Sequence, residues 1–285
     1  MISSEIGEAE PLLVRQNDHL GSIDSILRYA RSTHSSSNPV VKCSRRITTA
    51  SCPIKFLQQD AFTWTNKQKS TLLKPLFEAY GQVFSDCNLD HMLLLDRIWT
   101  VGLHEDSFNE LTYKSERWKE LGFQGSNPVT DLRGCGVLGL RCIDRLVRTQ
   151  ATIISEWHEK DLLASATCLN IAQAMVFHLQ LFKSSWILDP SKDPNVMSEE
   201  DARVIQIEAM HGFYSLCSLP RSSSSIEVFA AVVCAGMIIL NRLYLSLQKQ
   251  YAPTLLDFPK LIVTTRVHLL YMLVSRSVFC NFYFT

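Results

Sequence analysis

From Asp60 onward the apolar residues of this chain recur at helical spacing. Leu72, Leu73, Leu76, Phe77 and Tyr80 form one stripe, and Met92, Leu93, Leu95, Ile98 and Trp99 form the next. Helix-forming segments then continue toward the C-terminus, broken by turn-forming residues at 125–128, at 189–195, at Pro220, Arg221 and Ser222, and at Pro253. Four or more long helices fit between those breaks. No run combines β-branched enrichment with strict alternation, and no repeat of roughly 20–50 residues recurs. The pattern predicts an all-α fold built as a single multi-helix bundle.

The segment 161–182 is apolar around nearly its whole circumference. Leu163, Ala166, Leu169, Ala172, Met175, Val176 and Leu179 alternate there with Asn170, Gln173 and His178. Such a helix belongs at the centre of the bundle, and its polar side chains need partners. Asn170 is expected to satisfy a neighbouring backbone turn. The runs 228–240 and 267–274 are unbroken apolar, yet shorter than the ~20 residues a bilayer requires. Glu227 precedes the first run, Asn241 and Arg242 follow it, and Arg276 interrupts the second. Both read as buried core helices, so no transmembrane span is expected.

Before Pro53 the chain is rich in Ser, Thr and charge, with THSSSNP at its centre and no sustained period. Three parts follow: a disordered Ser-rich arm over 1–55, a helical domain over 56–265, and a hydrophobic C-terminal tail over 266–285. Within the arm, Arg45 and Arg46 read as a solvated basic pair. A hydrophobic content of 46% over 285 residues supports a large buried core. Lys plus Arg number 28 and Asp plus Glu number 28, so no global field favours nucleic acid, and a partner must be recognised by a local surface. Nine cysteines, an odd number with no C-x-x-C pair, argue against a zinc site and a disulfide framework. The opening MISSEIGEAE has acids where a secretory leader needs a basic region. A reducing compartment, cytosolic or nuclear, is the expectation.

Chemistry concentrates in one stretch, WKELGFQGSNPVTDLRGCGVLGL, from Trp118 to Leu140. Gly134, Gly136 and Gly139 form a literal G-x-G-x-x-G, but Pro128 precedes it in a loop and no strands flank it, which rejects dinucleotide binding. Thr130 or Asp131 is instead expected to cap the helix carrying Val137, Leu138, Leu140, Ile143 and Leu146. Gly134 and Gly136 let its first turn lie against neighbouring backbone. Arg133 then stands at a rigid helix entrance, with Trp118 and Phe123 anchoring the loop in the core and Gln124 bracing it. Taken alone, Arg133 beside Asp131 reads as a surface ion pair worth about 0–1 kcal/mol. No H-E-x-x-H or G-x-S-x-G occurs, and His104, Glu105 and Asp106 read as an exposed polar loop. His91 and His178 read as hydrogen-bonded core histidines, and no metal site is expected.

GFQGSNPVTDLRG, with Trp118 ahead of it and G-x-x-x-L behind, resembles the signature segment of ELMO-domain proteins. HMLLLDRIW from His91 to Trp99 and the helix around Asn170 resemble the flanking parts, so the likeness covers about 85–250. Leu132 and Cys135 depart from commoner forms of the segment. The resemblance implies a GTPase-activating protein for an Arf-like small GTPase, with Arg133 as the catalytic arginine finger. It further implies that Trp118, Gly122, Phe123, Gln124, Pro128, Thr130, Asp131, Gly134 and Gly136 bind the partner or shape the loop, and that Asp131 orients the guanidinium or caps the helix. No cofactor belongs to the chain itself, because GTP and magnesium are carried by the GTPase. The alternative implied by the same family is a non-catalytic scaffold that binds small GTPases or regulators of actin or microtubules. The resemblance implies a location in the cytoplasm, at the cytoskeleton or in cell projections.

Overall fold

The computed structural model describes residues 66–107, 113–179, 199–218, 224–249, 253 and 257–275. The arm over 1–55, the break at 189–195 and the end of the tail from 276 lie outside these residues, as does the side chain of His178. Among the described residues there are helices and no strand. In order they are α1 (Asn66–Gly81), α2 (Leu89–Leu103), two 3₁₀ segments (Glu116–Leu121 and Pro128–Gly134), α3 (Gly136–Thr149), α4 (Ala151–His158), α5 (Ala164–His178), α6 (Glu199–Cys217), α7 (Ser225–Gln248) and α8 (Phe258–Ser275). The all-α expectation holds for the described residues.

Local chemistry starts and stops α2. Asn88 is extended and its side-chain oxygen accepts the N–H groups of Asp90 at 3.0 Å and His91 at 3.3 Å, which satisfies two donors the helix leaves open. His104 ends it in the left-handed region at φ 55°. The buried stripe is His91, Leu94, Leu95, Ile98 and Trp99; Leu95, Ile98 and Trp99 face inward as expected, while Leu94 takes the inner place expected of Leu93, which is 56% exposed. Phe77 is likewise 45% exposed, because Leu76 and Ala79 carry the inner face of α1. His91 is a core histidine whose Nδ1 accepts the Ser85 N–H at 3.0 Å while its ring packs on Phe84.

α5 runs through the middle. Residues 164–169 are all buried, as are Ile171, Ala172, Ala174, Met175 and Val176. Asn170 departs from expectation, since it is exposed and bonds no backbone turn among the described residues. α3 and α7 both pack on α5 and on each other. Ser224 caps α7 by accepting the Glu227 N–H at 3.2 Å, and Glu227 in turn pairs with Arg145 of α3 at 3.2 Å. α7 spans 24 residues, more than its apolar run, and by length and composition could cross a membrane; 72% of its most apolar window is nevertheless buried inside the bundle.

Further polar links bind helices together. The Asp144 carboxylate of α3 is buried and takes Arg97 of α2 in two bonds, at 2.6 and 2.8 Å, and Arg148 at 2.9 Å. The Trp157 Nε1–H donates to Asn241 Oδ1 at 2.8 Å, and its ring meets Tyr244 and Phe258, which joins α4, α7 and α8. α8 crosses the expected boundary at 265 and buries Leu269, Leu270 and Leu273 in the common core. It lies so close to α6 that a Cβ at Gly212 would sit 1.9 Å from the Leu273 carbonyl oxygen.

Candidate functional site

The loop between α2 and α3 is built from its two 3₁₀ segments. Ser115 caps the first by accepting the Arg117 N–H at 3.3 Å, and its own N–H donates to the Ser126 carbonyl at 2.9 Å, which pins the far end of the loop to its start. Trp118 and Phe123 are fully buried, edge to face with ring centres 5.4 Å apart, and the Trp118 Nε1–H donates to the Tyr113 carbonyl at 3.1 Å. Between them Gly122 turns the chain at φ 79°, and a Cβ there would meet the Ala164 nitrogen at 2.1 Å. Only glycine permits that conformation and that approach to α5. Ser165 Oγ–H and the Ala166 N–H then bond the carbonyls of Leu121 and Gly122.

The second segment is capped by Asn127, whose side chain accepts the Val129 N–H at 3.1 Å, followed by Pro128 in the first helical position, where its missing N–H costs nothing. Neither Thr130 nor Asp131 caps α3, contrary to expectation. α3 starts after Cys135 without a side-chain cap; the carbonyl that takes the Val137 N–H comes instead from Gln82, in the α1–α2 turn. At φ 53°, with its Cβ position 2.4 Å from the Gln82 carbonyl oxygen, Gly136 lets the Val137 N–H reach that carbonyl at 3.0 Å. Gly134 has no such constraint.

Asp131 works within the loop instead. Its Oδ2 accepts the Gln124 N–H at 2.8 Å, and Thr130 Oγ–H donates to the Asn127 carbonyl at 2.8 Å. Gln124 therefore braces the loop through its backbone, while its side chain is exposed. Leu132 and Cys135 are buried on either side of Arg133 and Gly134, which are exposed. Arg133 makes no hydrogen bond or ion pair with a described residue. Arg117, earlier in the loop, is by contrast held by Glu120 at 3.0 Å and by Glu105.

A profile of the ELMO/CED-12 family matches residues 57–262. The chain belongs to the ELMO/CED-12 family. ELMO domain-containing protein C of Dictyostelium discoideum is 29% identical over 123 residues, which is 42% of this chain and 19% of that protein. Human ELMO domain-containing protein 2 is 43% identical over 53 residues, 19% of this chain and 17% of its own length, and ELMO domain-containing protein B of Dictyostelium is 40% identical over 57 residues, 20% and 19%. The matched stretches thus span less than a fifth of each of these relatives. No solved structure matches the chain.

In this ELMO domain the structure gathers Trp118, Gly122, Phe123, Pro128, Thr130, Asp131 and Gly136 into one braced loop that presents Arg133, with Gln124 and Gly134 on its outer side. Reading the sequence missed three supports. Asn127 was legible as a cap, since Asn ahead of Pro is a helix-start signal. Gln82 and Gln173 were not, because they reach the loop from the distant α1–α2 turn and from α5. Among the described residues no cluster of His, Cys, Asp and Glu could hold a metal ion.

Proposed function

We propose that this ELMO domain stimulates GTP hydrolysis by an Arf-like small GTPase, with Arg133 entering the partner's active site as an arginine finger. One observation carries the reading: Arg133 is exposed and unpaired among the described residues, at the end of a segment whose every turn is fixed by caps and buried anchors. A guanidinium held as a stabilising ion pair would need to break that pair before serving a partner. Arg133 carries no such cost, and a rigid base lowers the entropy lost on docking.

The chemistry suits the residue. As the γ-phosphoryl group leaves, negative charge grows on the bridging and terminal oxygens, and the planar fork of a guanidinium can donate to two of them while the interface excludes water. GTP and magnesium belong to the partner. Asp131 supports the finger indirectly by fixing the loop, and Gly134 leaves room beside the guanidinium for the approach of another backbone. The α1–α2 turn that cradles Gly136 also carries Val83, 81% exposed, an apolar contact for the same partner. Leu132 and Cys135 in the DLRG segment most resemble ELMO domain-containing protein 3, and we place the chain on that branch, in the cytoplasm.

A scaffold of the same family, working through small GTPases or actin or microtubule regulators, would bind without acting. Titration of fluorescent GTP-loaded Arf-like GTPases with wild type and Arg133→Ala separates the two. For an activator, the variant retains binding within a few-fold while the acceleration of hydrolysis falls by ~10³ or more; equal hydrolysis rates at saturating wild type and variant favour the scaffold.

A further inference from the structure

Gln173 projects from the central helix α5 toward the underside of the Arg133 turn. Its Oε1 accepts the Cys135 Sγ–H at 3.2 Å, and its Nε2 donates to the Tyr80 hydroxyl at 3.2 Å. The same Oε1 lies 3.5 Å from where a Cβ of Gly134 would stand, so the amide rests directly against the backbone that follows Arg133. One half-buried side chain therefore touches α1, α5 and the end of the 3₁₀ segment at once.

The geometry points to Gln173 as a positioning residue for Arg133, resting on the reading of Arg133 as the finger. Cys135 is the kink between the 3₁₀ segment and α3, where no side-chain cap holds the backbone. Its N–H bonds back to the Leu132 carbonyl at 3.3 Å and the next helix is anchored at Val137 by Gln82. The thiol ties the kink to α5, its single S–H shared between Gln173 Oε1 and the Leu169 carbonyl at 3.5 Å. The thiol can act only as a donor while protonated, and burial pushes it up to about 12, so the bond persists across the neutral range. Loss of the amide frees the kink to rotate and carries the Arg133 backbone with it. A shift of about 1 Å at a guanidinium that must reach a developing charge lowers turnover by up to ~10² while leaving the docking face intact.

The test uses the full chain as wild type, Gln173→Met and Gln173→Glu. Methionine keeps the length and apolar bulk but neither hydrogen bond; glutamate can accept from both the thiol and the Tyr80 hydroxyl. Two readouts are taken: amide hydrogen exchange at Cys135 and Val137, and the maximal single-turnover rate and half-saturating concentration with GTP-loaded Arf-like GTPases. The expected result is ~10-fold faster exchange at those amides in Gln173→Met, with the maximal rate reduced ~10-fold, the half-saturating concentration changed less than ~2-fold, and partial rescue by Gln173→Glu. Unchanged exchange, or faster exchange with an unchanged maximal rate, overturns the assignment. If wild type accelerates no GTPase, the reading of Arg133 is what fails, and exchange at Cys135 and Val137 still decides whether Gln173 holds the turn.

Discussion

The carboxylate of Asp131 accepts the backbone N–H of Gln124 at 2.8 Å, across the loop that the two residues share. The acidic residue two positions before Arg133 is thus committed to the backbone of the loop and not to the guanidinium. Asp131→Ala is expected to lower stability by only about 1 kcal/mol, since the loop is partly solvated, yet to reduce stimulated hydrolysis far more than binding. Asp131→Asn, which keeps an acceptor oxygen, should lie close to wild type. Denaturant titration and the stimulated rate, measured on the same samples, check both.

Two glycines near Arg133 should behave oppositely. Gly136 has φ 53° and faces the Gln82 carbonyl oxygen at 2.4 Å from its Cβ position, whereas Gly134 meets only the Gln173 amide at 3.5 Å. Gly136→Ala is expected to cost about 2–3 kcal/mol through strain and lost contact between α1 and α3. Gly134→Ala should stay within about 0.5 kcal/mol. Thermal or urea unfolding distinguishes them, and equal effects would contradict the geometry.

The link between α2 and α3 depends on how many guanidinium groups a buried carboxylate keeps. Asp144 is 2% exposed while Arg97 and Arg148 are 46% and 37% exposed. Arg97→Ala or Arg148→Ala alone leaves one partner and should cost about 1–2 kcal/mol. The double variant leaves the charge buried and unpaired, for which about 3–5 kcal/mol is expected. A double-mutant cycle by urea unfolding should therefore show a cost above the sum of the single changes.

Much of this was legible in the sequence. Helical spacing and the absence of alternation gave the all-α class, and the density of Gly, Pro, Asn and Asp marked 118–140 as the loop with special geometry. What escaped was orientation. Spacing alone could not tell whether Leu93 or Leu94 faced inward, because four adjacent apolar positions at 92–95 fit either face of α2. Thr130 and Asp131 looked like caps for α3, since both residue types cap helices, but an intervening 3₁₀ segment moved the cap to Asn127 and left α3 to begin at a kink. Gln82, in the α1–α2 turn, and Gln173, in α5, support the loop through contacts between segments far apart in the chain, which no local pattern encodes.

Burial makes the thiols a pH-dependent element of stability. Cys135, Cys217 and Cys234 are pushed up to about 12, and Cys142 and Cys168 well above the ordinary value of 9.0, by loss of hydration. A raised folded-state value favours the protonated thiol in the fold, so its stabilisation is complete below pH 9 and is lost as pH rises from there toward 12. The thermal midpoint is expected to fall as pH rises from about 9 toward 12, and to fall less steeply when Cys142 and Cys168 are both replaced by Ala. Parallel slopes for wild type and variant would show that the thiols do not contribute.

Arg133 itself is tested most directly by single-turnover GTP hydrolysis on a panel of Arf-like small GTPases, with wild type and an equally folded Arg133→Lys. Lysine keeps the charge and loses the planar fork. The expected result is acceleration of at least one GTPase by wild type and loss of ~10³-fold or more of that acceleration in the variant. Undiminished acceleration by Arg133→Lys, or none by wild type on any member, would contradict the arginine finger.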